Sequence, residues 1–306
     1  MRVVITGATG TIGTAVSSAL RARGDAVVAL SRDVDRGRQV LGSDAEVHAW
    51  PDPLRTPPPA EALRGTDAVV HLLGEPVAQR WTEASKRRIR DSRVLPTRNL
   101  VDALNGLDDA ARPRVLVSQS ATGYYGPQGE QPLDEHAPAG SDFLAEVVTA
   151  WEHEARQVET TMRVSLTRTG VVLSPSGGAL AKMLPFFKLG IGGPVAGGRQ
   201  YVSWIHLDDV VGAMLCAIDD RDASGPINLT APDPVTNAQL STVLGRVLHR
   251  PAVLPVPGLT LRLLYGEMAQ IVTTGQRVRP AKLQQLGYRF AHPELEEALR
   301  DVLRSS

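Results

Sequence analysis

Gly7-Ala8-Thr9-Gly10-Thr11-Ile12-Gly13 sets glycines three residues apart close to the start of the chain. Each position answers a steric demand: a tight turn, backbone close enough to meet a pyrophosphate, and close packing of a following helix whose N-terminal N–H groups face the anion. The chemistry this predicts is dinucleotide binding by Gly7, Thr9, Gly10, Thr11, Ile12 and Gly13, with a purely structural turn as the alternative. About twenty residues further on, NAD-binding folds place an acid against the ribose 2′-hydroxyl. This chain has Ser31-Arg32 there, and a hydroxyl with a guanidinium suits a 2′-phosphate. NADP(H) is therefore the expected cofactor, although Asp33 can be read as the NAD acid displaced by one position.

Other groups of reactive residues have plainer readings. His206-Leu207-Asp208-Asp209 has the residue types of a metal site, yet an Asp before the apolar Val210-Val211-Ala213-Met214 pattern is an N-cap signal. The remaining histidines offer no metal-ligand spacing, so no metal is expected. Lys86-Arg87-Arg88 with Arg90 and Arg93 suggests a nucleic-acid patch, but Glu83 and Asp91 interrupt it at helical spacing, which favours a solvated helix face. Cys216 has no basic neighbour to make it a thiolate and reads as a small core residue.

The elements that position the glycine turn are legible from periodicity. Arg2 to Thr6 is a β-branched run, and after the glycines Ile12, Ala15, Val16, Ala19 and Leu20 recur on one helical face. Ala26 to Leu30 is a second, non-alternating strand, as in a sheet covered on both faces. Similar runs follow at Ala68 to Leu72, Val115 to Val117 and Val164 to Thr167, each separated by enough chain for a crossover helix. The pattern predicts an α/β fold, a Rossmann-like doubly wound parallel sheet with a smaller C-terminal substrate lobe. Residues 1–170 and 200–230 are assigned to the dinucleotide-binding domain, and 171–199 with 231–306 to the lobe. The last helix should dock through Leu295, Ala298, Leu299, Val302 and Leu303.

Composition narrows the function classes. The 306 residues carry 33 Lys+Arg against 33 Asp+Glu, and a net charge of zero argues against a nucleic-acid or membrane-surface partner, both of which need a basic excess. No run approaches the ~18 apolar residues of a membrane span, and one cysteine forms no internal disulfide. The expectation is a cytoplasmic protein acting on a small molecule.

Together with the glycine motif, a series of short motifs resembles the extended short-chain dehydrogenase/reductase superfamily of NAD(P)-dependent epimerases and dehydratases. They are Leu73-Gly74-Glu75-Pro76, Arg80-Trp81-Thr82, Arg90-Asp91-Ser92-Arg93, Ser120-Ala121-Thr122-Gly123-Tyr124-Tyr125-Gly126, Asp142 to Glu146, Trp151-Glu152, Arg168 to Leu173, Gly177 to Pro185, Ser203 to Asp209 and Pro280 to Leu303. More narrowly, the chain is similar to an atypical branch described as nucleoside-diphosphate-sugar epimerases or SulA-like cell-division inhibitors. Thr11 stands where an aromatic is usual, and Pro96 where a glycine is usual.

The resemblance implies that Ser120, just past the Val115 to Val117 strand, is the superfamily's catalytic hydroxyl. It also implies a Tyr-x-x-x-Lys pair, in which the lysine lowers the tyrosine pKa for proton exchange beside the nicotinamide. Only four lysines occur, and none lies four residues after a tyrosine; the positions that should carry the pair are Leu144 and Val148. Either Tyr124 or Tyr125 substitutes as proton donor, with packing or substrate stacking as the alternative for the pair, or the protein is a nucleotide-bound regulatory module. The same resemblance places Leu73, Gly74 and Glu75 at the nicotinamide side of the cofactor, Thr169 and Gly170 as backbone contacts, and Lys182 in a segment that covers it. For Glu75 and Lys182 a surface role is the alternative. A homodimer is common among relatives and is expected on that ground alone.

Overall fold

Strand β1 (Arg2–Thr6) buries Val3, Val4 and Ile5 completely, because helices cover the sheet on both faces. The computed structural model describes residues 1–175 and 177–304. With β2 (Ala26–Ser31), β3 (Glu46–Ala49), β4 (Ala68–His71), β5 (Val115–Ala121), β6 (Arg163–Thr169) and β7 (Gly225–Leu229), it forms a seven-stranded sheet in the order β7-β6-β5-β4-β1-β2-β3. Every pairing is parallel. The chain runs outward from β1 to β3 and restarts at β4 on the other side of β1, so the switch point lies between β1 and β4, where ligands of such sheets bind. Registry sets Thr6 beside His71 there, and further along the same edge Ser120 beside Arg168 and Ala121 beside Thr169.

Helices α1 (Thr11–Ala22), α2 (Val34–Leu41), α3 (Glu83–Asn105) and α4 (Phe143–Arg156) cross between strands. Thr82 starts α3 with a capping box to Ser85, and Pro96 sits inside this helix without ending it. Beyond β6, α5 (Gly178–Lys188), α7 (Asn237–Leu248) and α8 (Leu295–Arg304) share a second core built on Leu173, Leu184, Trp204, Leu244 and Leu299. Leu295, Ala298, Leu299 and Val302 of α8 are buried in it, whereas Leu303 is only partly covered. The C-terminal segment does not stay with this second core: Leu283 packs into the sheet's own core against the β7 side.

Helix α6 (Leu207–Asp219) returns to the sheet. Its cap is His206, whose Nδ1 accepts the N–H of Asp208 at 3.1 Å, rather than the aspartate expected from sequence. Cys216 on this helix is partly buried, and burial pushes its thiol pKa up. Among the described residues no helix is long and apolar enough to cross a membrane.

Candidate functional site

The glycine turn joins β1 to α1 at the switch point. Gly7 has φ +68°, and a Cβ there would come within 2.9 Å of the Leu72 carbonyl oxygen. Gly13 presses α1 onto the turn so closely that a Cβ would stand 2.2 Å from the oxygen of Gly7. Gly10 is different: a Cβ there would meet only the Gly7 oxygen, at 3.4 Å. The fold does not need its smallness, but a ligand approaching the backbone would. Thr9, Gly10 and Thr11 are exposed, Ile12 partly so, and α1 begins with no side-chain cap and no acid in its first turn. Its N-terminal N–H groups therefore face outward as an anion cradle.

At the end of β2, Ser31 is half-buried and Arg32 exposed. The Asp33 carboxylate is engaged as the cap of α2, accepting the N–H of Arg36 at 3.0 Å. That local role accounts for an acid at this position without a ribose. The start of α5 lies over the turn, since a Cβ on Gly177 would approach Thr11 Oγ1 to 2.9 Å. Lys182, exposed on α5, donates to the Ala78 carbonyl at 3.0 Å and so ties this helix to the loop after β4.

A cleft of about 190 Å³ opens along the sheet edge beside the turn, between the ends of β4 and β5 and helices α3 and α4. Leu73, Gly74, Ser120 and Ala121 line it together with Arg93, Leu144, Val148 and Trp151. Leu144 and Val148, at the positions where a Tyr and a Lys were anticipated, give it an apolar wall. Glu75 stands at the rim, accepting from Gln79 at 2.9 Å and Arg88 at 3.4 Å; the Gln79 bond leads, and burial opposes, in holding its carboxyl below the ordinary range. Arg93 stacks on Trp151 and donates to the Glu75 carbonyl at 2.9 Å. Burial pulls its pKa down to about 10, against the opposing charge of Glu75.

Ser120 is 1 % exposed, and its hydroxyl donates to Glu152 Oε1 at 2.6 Å. Glu152, from α4, is gripped by both edges of the Arg168 guanidinium, Nε at 2.8 Å and Nη2 at 2.9 Å. Burial acts to lower the Arg168 pKa, but the bonds and charge of Glu152 raise it overall. Arg168 also donates to the Tyr125 hydroxyl at 3.0 Å, which donates in turn to Asn228 Oδ1 at 2.7 Å.

The two tyrosines are therefore not where a substitute acid must be. Tyr125 is fully buried with its hydroxyl committed on both sides, and burial pushes its pKa up to about 12 despite the Arg168 and Asn228 bonds. Tyr124 is half-buried, its ring stacked under the Arg168 guanidinium at 3.4 Å. Neither lines the cleft. They pack because the short turn Thr122–Tyr125 after β5 folds back toward α4 rather than over the sheet edge. Thr169 is buried with its hydroxyl on the Thr167 carbonyl at 3.1 Å, and the Gly170 N–H is taken by the Leu229 carbonyl at 3.0 Å. Any contact from these two to a cofactor would have to come through other atoms.

A family model described as the NAD dependent epimerase/dehydratase family matches residues 3–229, and a domain of unknown function, DUF1731, matches 256–302. This chain belongs to the NAD-dependent epimerase/dehydratase family. Within the family, an Arabidopsis thaliana protein described as a chloroplastic SDR39U1 homologue is 40% identical over 99% of this chain and 87% of its own length. Human epimerase family protein SDR39U1 is 35% identical over 99% of this chain and all of its own length (100%). A crystal structure of human SDR39U1 with NADPH superposes with a TM-score of 0.90 at 32% identity, covering 100% of both chains. A nucleoside-diphosphate sugar epimerase from Corynebacterium glutamicum gives 0.77 at 33% identity, covering 99% of this chain and 58% of that one.

The residue that the sequence reading passed over is Glu152. On α4, Leu144, Val148 and Glu152 fall at i, i+4 and i+8 and so share a face. An acid one turn beyond the two expected positions, with an arginine near the end of β6, was the available signal.

Proposed function

We propose that this protein binds NADP(H) over the glycine turn and catalyses oxidoreduction or epimerisation of a small polar substrate in the cleft at Ser120. The observation that carries this reading is the placement of Ser120 at the sheet edge beside the switch point, lining the cleft while Glu152 holds its proton. The fit to the dinucleotide rests on the open backbone at Gly10, the uncapped α1 terminus, and exposed Arg32 at the end of β2. Gly7, Thr9, Gly10, Thr11, Ile12 and Gly13 take the pyrophosphate, and Ser31 and Arg32 take the 2′-phosphate. Leu73, Gly74 and Glu75 border the nicotinamide end, Thr169 and Gly170 lie at its far side, and Lys182 closes α5 over the whole. Human SDR39U1, similar over its full length, is the relative seen with NADPH.

When bound, the nicotinamide supplies or takes up hydride. Ser120 meets the substrate as a hydrogen-bond acceptor, because its one proton points to Glu152. In the oxidative direction a substrate hydroxyl passes its proton to Ser120 Oγ as Ser120 passes its own to Glu152; reduction returns both protons along the same path. Arg168 holds the Glu152 carboxylate in position, and the apolar wall of Leu144 and Val148 keeps water from competing.

Titration of nucleotide-free protein with NADPH and NADH tests the reading. A preference for NADPH of at least tenfold, about 1.4 kcal/mol, is expected. Absence of binding, or preference for NADH, overturns it.

A further inference from the structure

The fold brings a pair of side chains at the start of α6 against a pair more than eighty residues further along the chain. His206 caps α6, Asp208 stands in its first turn, His292 lies in the segment before α8, and Asp301 is on α8 itself. One ligand atom from each falls within 4.8 Å of all the others. His206 Nε2 lies 3.4 Å from Asp301 Oδ2, and His292 Nε2 lies 3.5 Å from Asp208 Oδ2. Ligands at 2.0–2.1 Å around a tetrahedral zinc ion are separated by roughly 3.3 Å along each edge, close to both spacings.

The buried partner in this group is unsatisfied. His206 is 4 % exposed, and its Nε2 has no hydrogen-bond partner even though it is directed at the cluster. The backbone also fixes the second imidazole over the first. Asp209, next to Asp208, accepts the N–H of Ala291 at 2.7 Å and of His292 at 2.9 Å, and Tyr288 donates to the same carboxylate at 3.1 Å. The His292 ring is thereby held 3.8 Å from that of His206.

We infer that His206, Asp208, His292 and Asp301 form a binding site for a divalent transition-metal cation of the zinc type. Two imidazole nitrogens select such an ion over Mg²⁺ or Ca²⁺, and the two carboxylates balance its charge. Because Nδ1 of His206 accepts the Asp208 N–H, the proton of the neutral ring sits on Nε2. Metal binding at Nε2 leaves the ring proton on Nδ1, which then faces the Asp208 carboxylate, 3.8 Å away, instead of accepting the Asp208 N–H. The stacked rings spread to give both nitrogens to one ion. None of the four residues lines the cleft, so the ion would staple the C-terminal segment to the first turn of α6 rather than take part in hydride chemistry.

The test is calorimetric titration of tag-free, EDTA-treated and dialysed full-length protein with ZnCl₂, and in parallel with MgCl₂, together with melting curves. One equivalent of Zn²⁺, no Mg²⁺ binding and a zinc-dependent rise in Tm are expected. His292→Ala and Asp301→Asn should each weaken zinc binding at least tenfold. Both residues are outside the capping position, so these variants avoid the folding risk of replacing His206. If zinc does not bind, or binds with undiminished affinity to both variants, the four residues are an ion-pair cluster and the assignment is wrong.

Discussion

The hydroxyl of Ser120 donates to Glu152 at 2.6 Å, so the serine at the sheet edge is tied to an acid one helical turn beyond the positions where a Tyr-Lys pair was anticipated. Glu152 in turn is held from the other side by Arg168, and both are almost wholly buried, at 4 % and 2 % exposure. This pair is expected to be costly to break and comparatively cheap to remove. Taking away one partner strands the other charge in the interior, which costs about 3–5 kcal/mol, whereas replacing both with apolar residues of similar volume is often near neutral. Glu152→Ala should lower the urea-unfolding free energy by that amount, and Glu152→Met combined with Arg168→Met should recover most of it. Equal losses in the single and double variants would show that the ion pair is not what Glu152 contributes.

Ser120 and Tyr125 should separate chemistry from stability. Ser120→Ala removes the only cleft-lining group of this chain of bonds and should reduce turnover by at least ~100-fold, the usual effect of losing a proton-transfer group, with NADPH affinity unchanged. Tyr125→Phe leaves Asn228 Oδ1 and one Arg168 N–H without the shared hydroxyl. It should cost about 1–3 kcal/mol of stability while turnover on the same substrate stays within a few-fold. A larger catalytic loss in Tyr125→Phe than in Ser120→Ala would return the tyrosine to the reaction.

The parallel sheet, the glycine turn and the docking face of α8 were legible because each is a local pattern: an unbroken apolar run, a glycine spacing, a helical stripe. Ser120 was singled out by the family resemblance, and its place at the sheet edge follows from the strand before it. Glu152 and Arg168 were not, since an acid on a helix and a base in a strand acquire meaning only when β6 and α4 are packed together. Proximity in sequence to Ser120 left the role of the tyrosines open because it says nothing about direction; the turn after β5 carries them inward. His292 and Asp301 lie more than eighty residues beyond His206 in the chain, so no spacing rule could have joined them to it.

Cofactor preference should reside in one exposed side chain. Arg32 makes no hydrogen bond or ion pair among those described for this chain, so its replacement leaves the fold untouched. Arg32→Ala should weaken NADPH binding about tenfold or more, about 1.4 kcal/mol, and leave NADH binding unchanged, because only NADPH has a 2′-phosphate to lose. Parallel titrations decide the point, and equal losses for both nucleotides would remove Arg32 from that role.

His71 should make stability fall on mild acidification. It is enclosed between Thr6 Oγ1 at 2.8 Å and Thr97 Oγ1 at 2.9 Å. Thr97 already donates to the Arg93 carbonyl, so His71 Nε2 donates to Thr97 and Nδ1 accepts from Thr6, which fits a neutral ring. Burial lowers its pKa from 6.5 to about 3. Between those values the unfolded chain binds a proton that the folded chain refuses. Its contribution is therefore complete above about pH 6.5 and declines as pH falls toward 3, with a slope of up to about 1.4 kcal/mol per pH unit. Urea unfolding of the wild type and His71→Gln from about pH 6 to about pH 5 should show the steeper decline only in the wild type.

Gly10 and Gly13 are three residues apart in one motif and should fail in different ways. A Cβ at Gly13 would stand 2.2 Å from the Gly7 oxygen and 2.7 Å from the Ala8 Cα, both backbone atoms that cannot move without shifting α1 from the sheet. Gly13→Ala should therefore lower Tm markedly and lose nucleotide binding as a consequence. At Gly10 the backbone is extended, with φ −83° and ψ 170°, a conformation open to alanine, and the nearest atom to an added Cβ is 3.4 Å away. Gly10→Ala should keep its Tm within a degree or two, about the scatter of a neutral surface change, yet lose most NADPH affinity, because the methyl group occupies the path by which a pyrophosphate reaches the α1 N–H groups. Melting curves and NADPH titrations on the two variants read both effects. If Gly10→Ala binds NADPH as the wild type does, the turn is a structural device for packing α1, and the dinucleotide must be sought elsewhere.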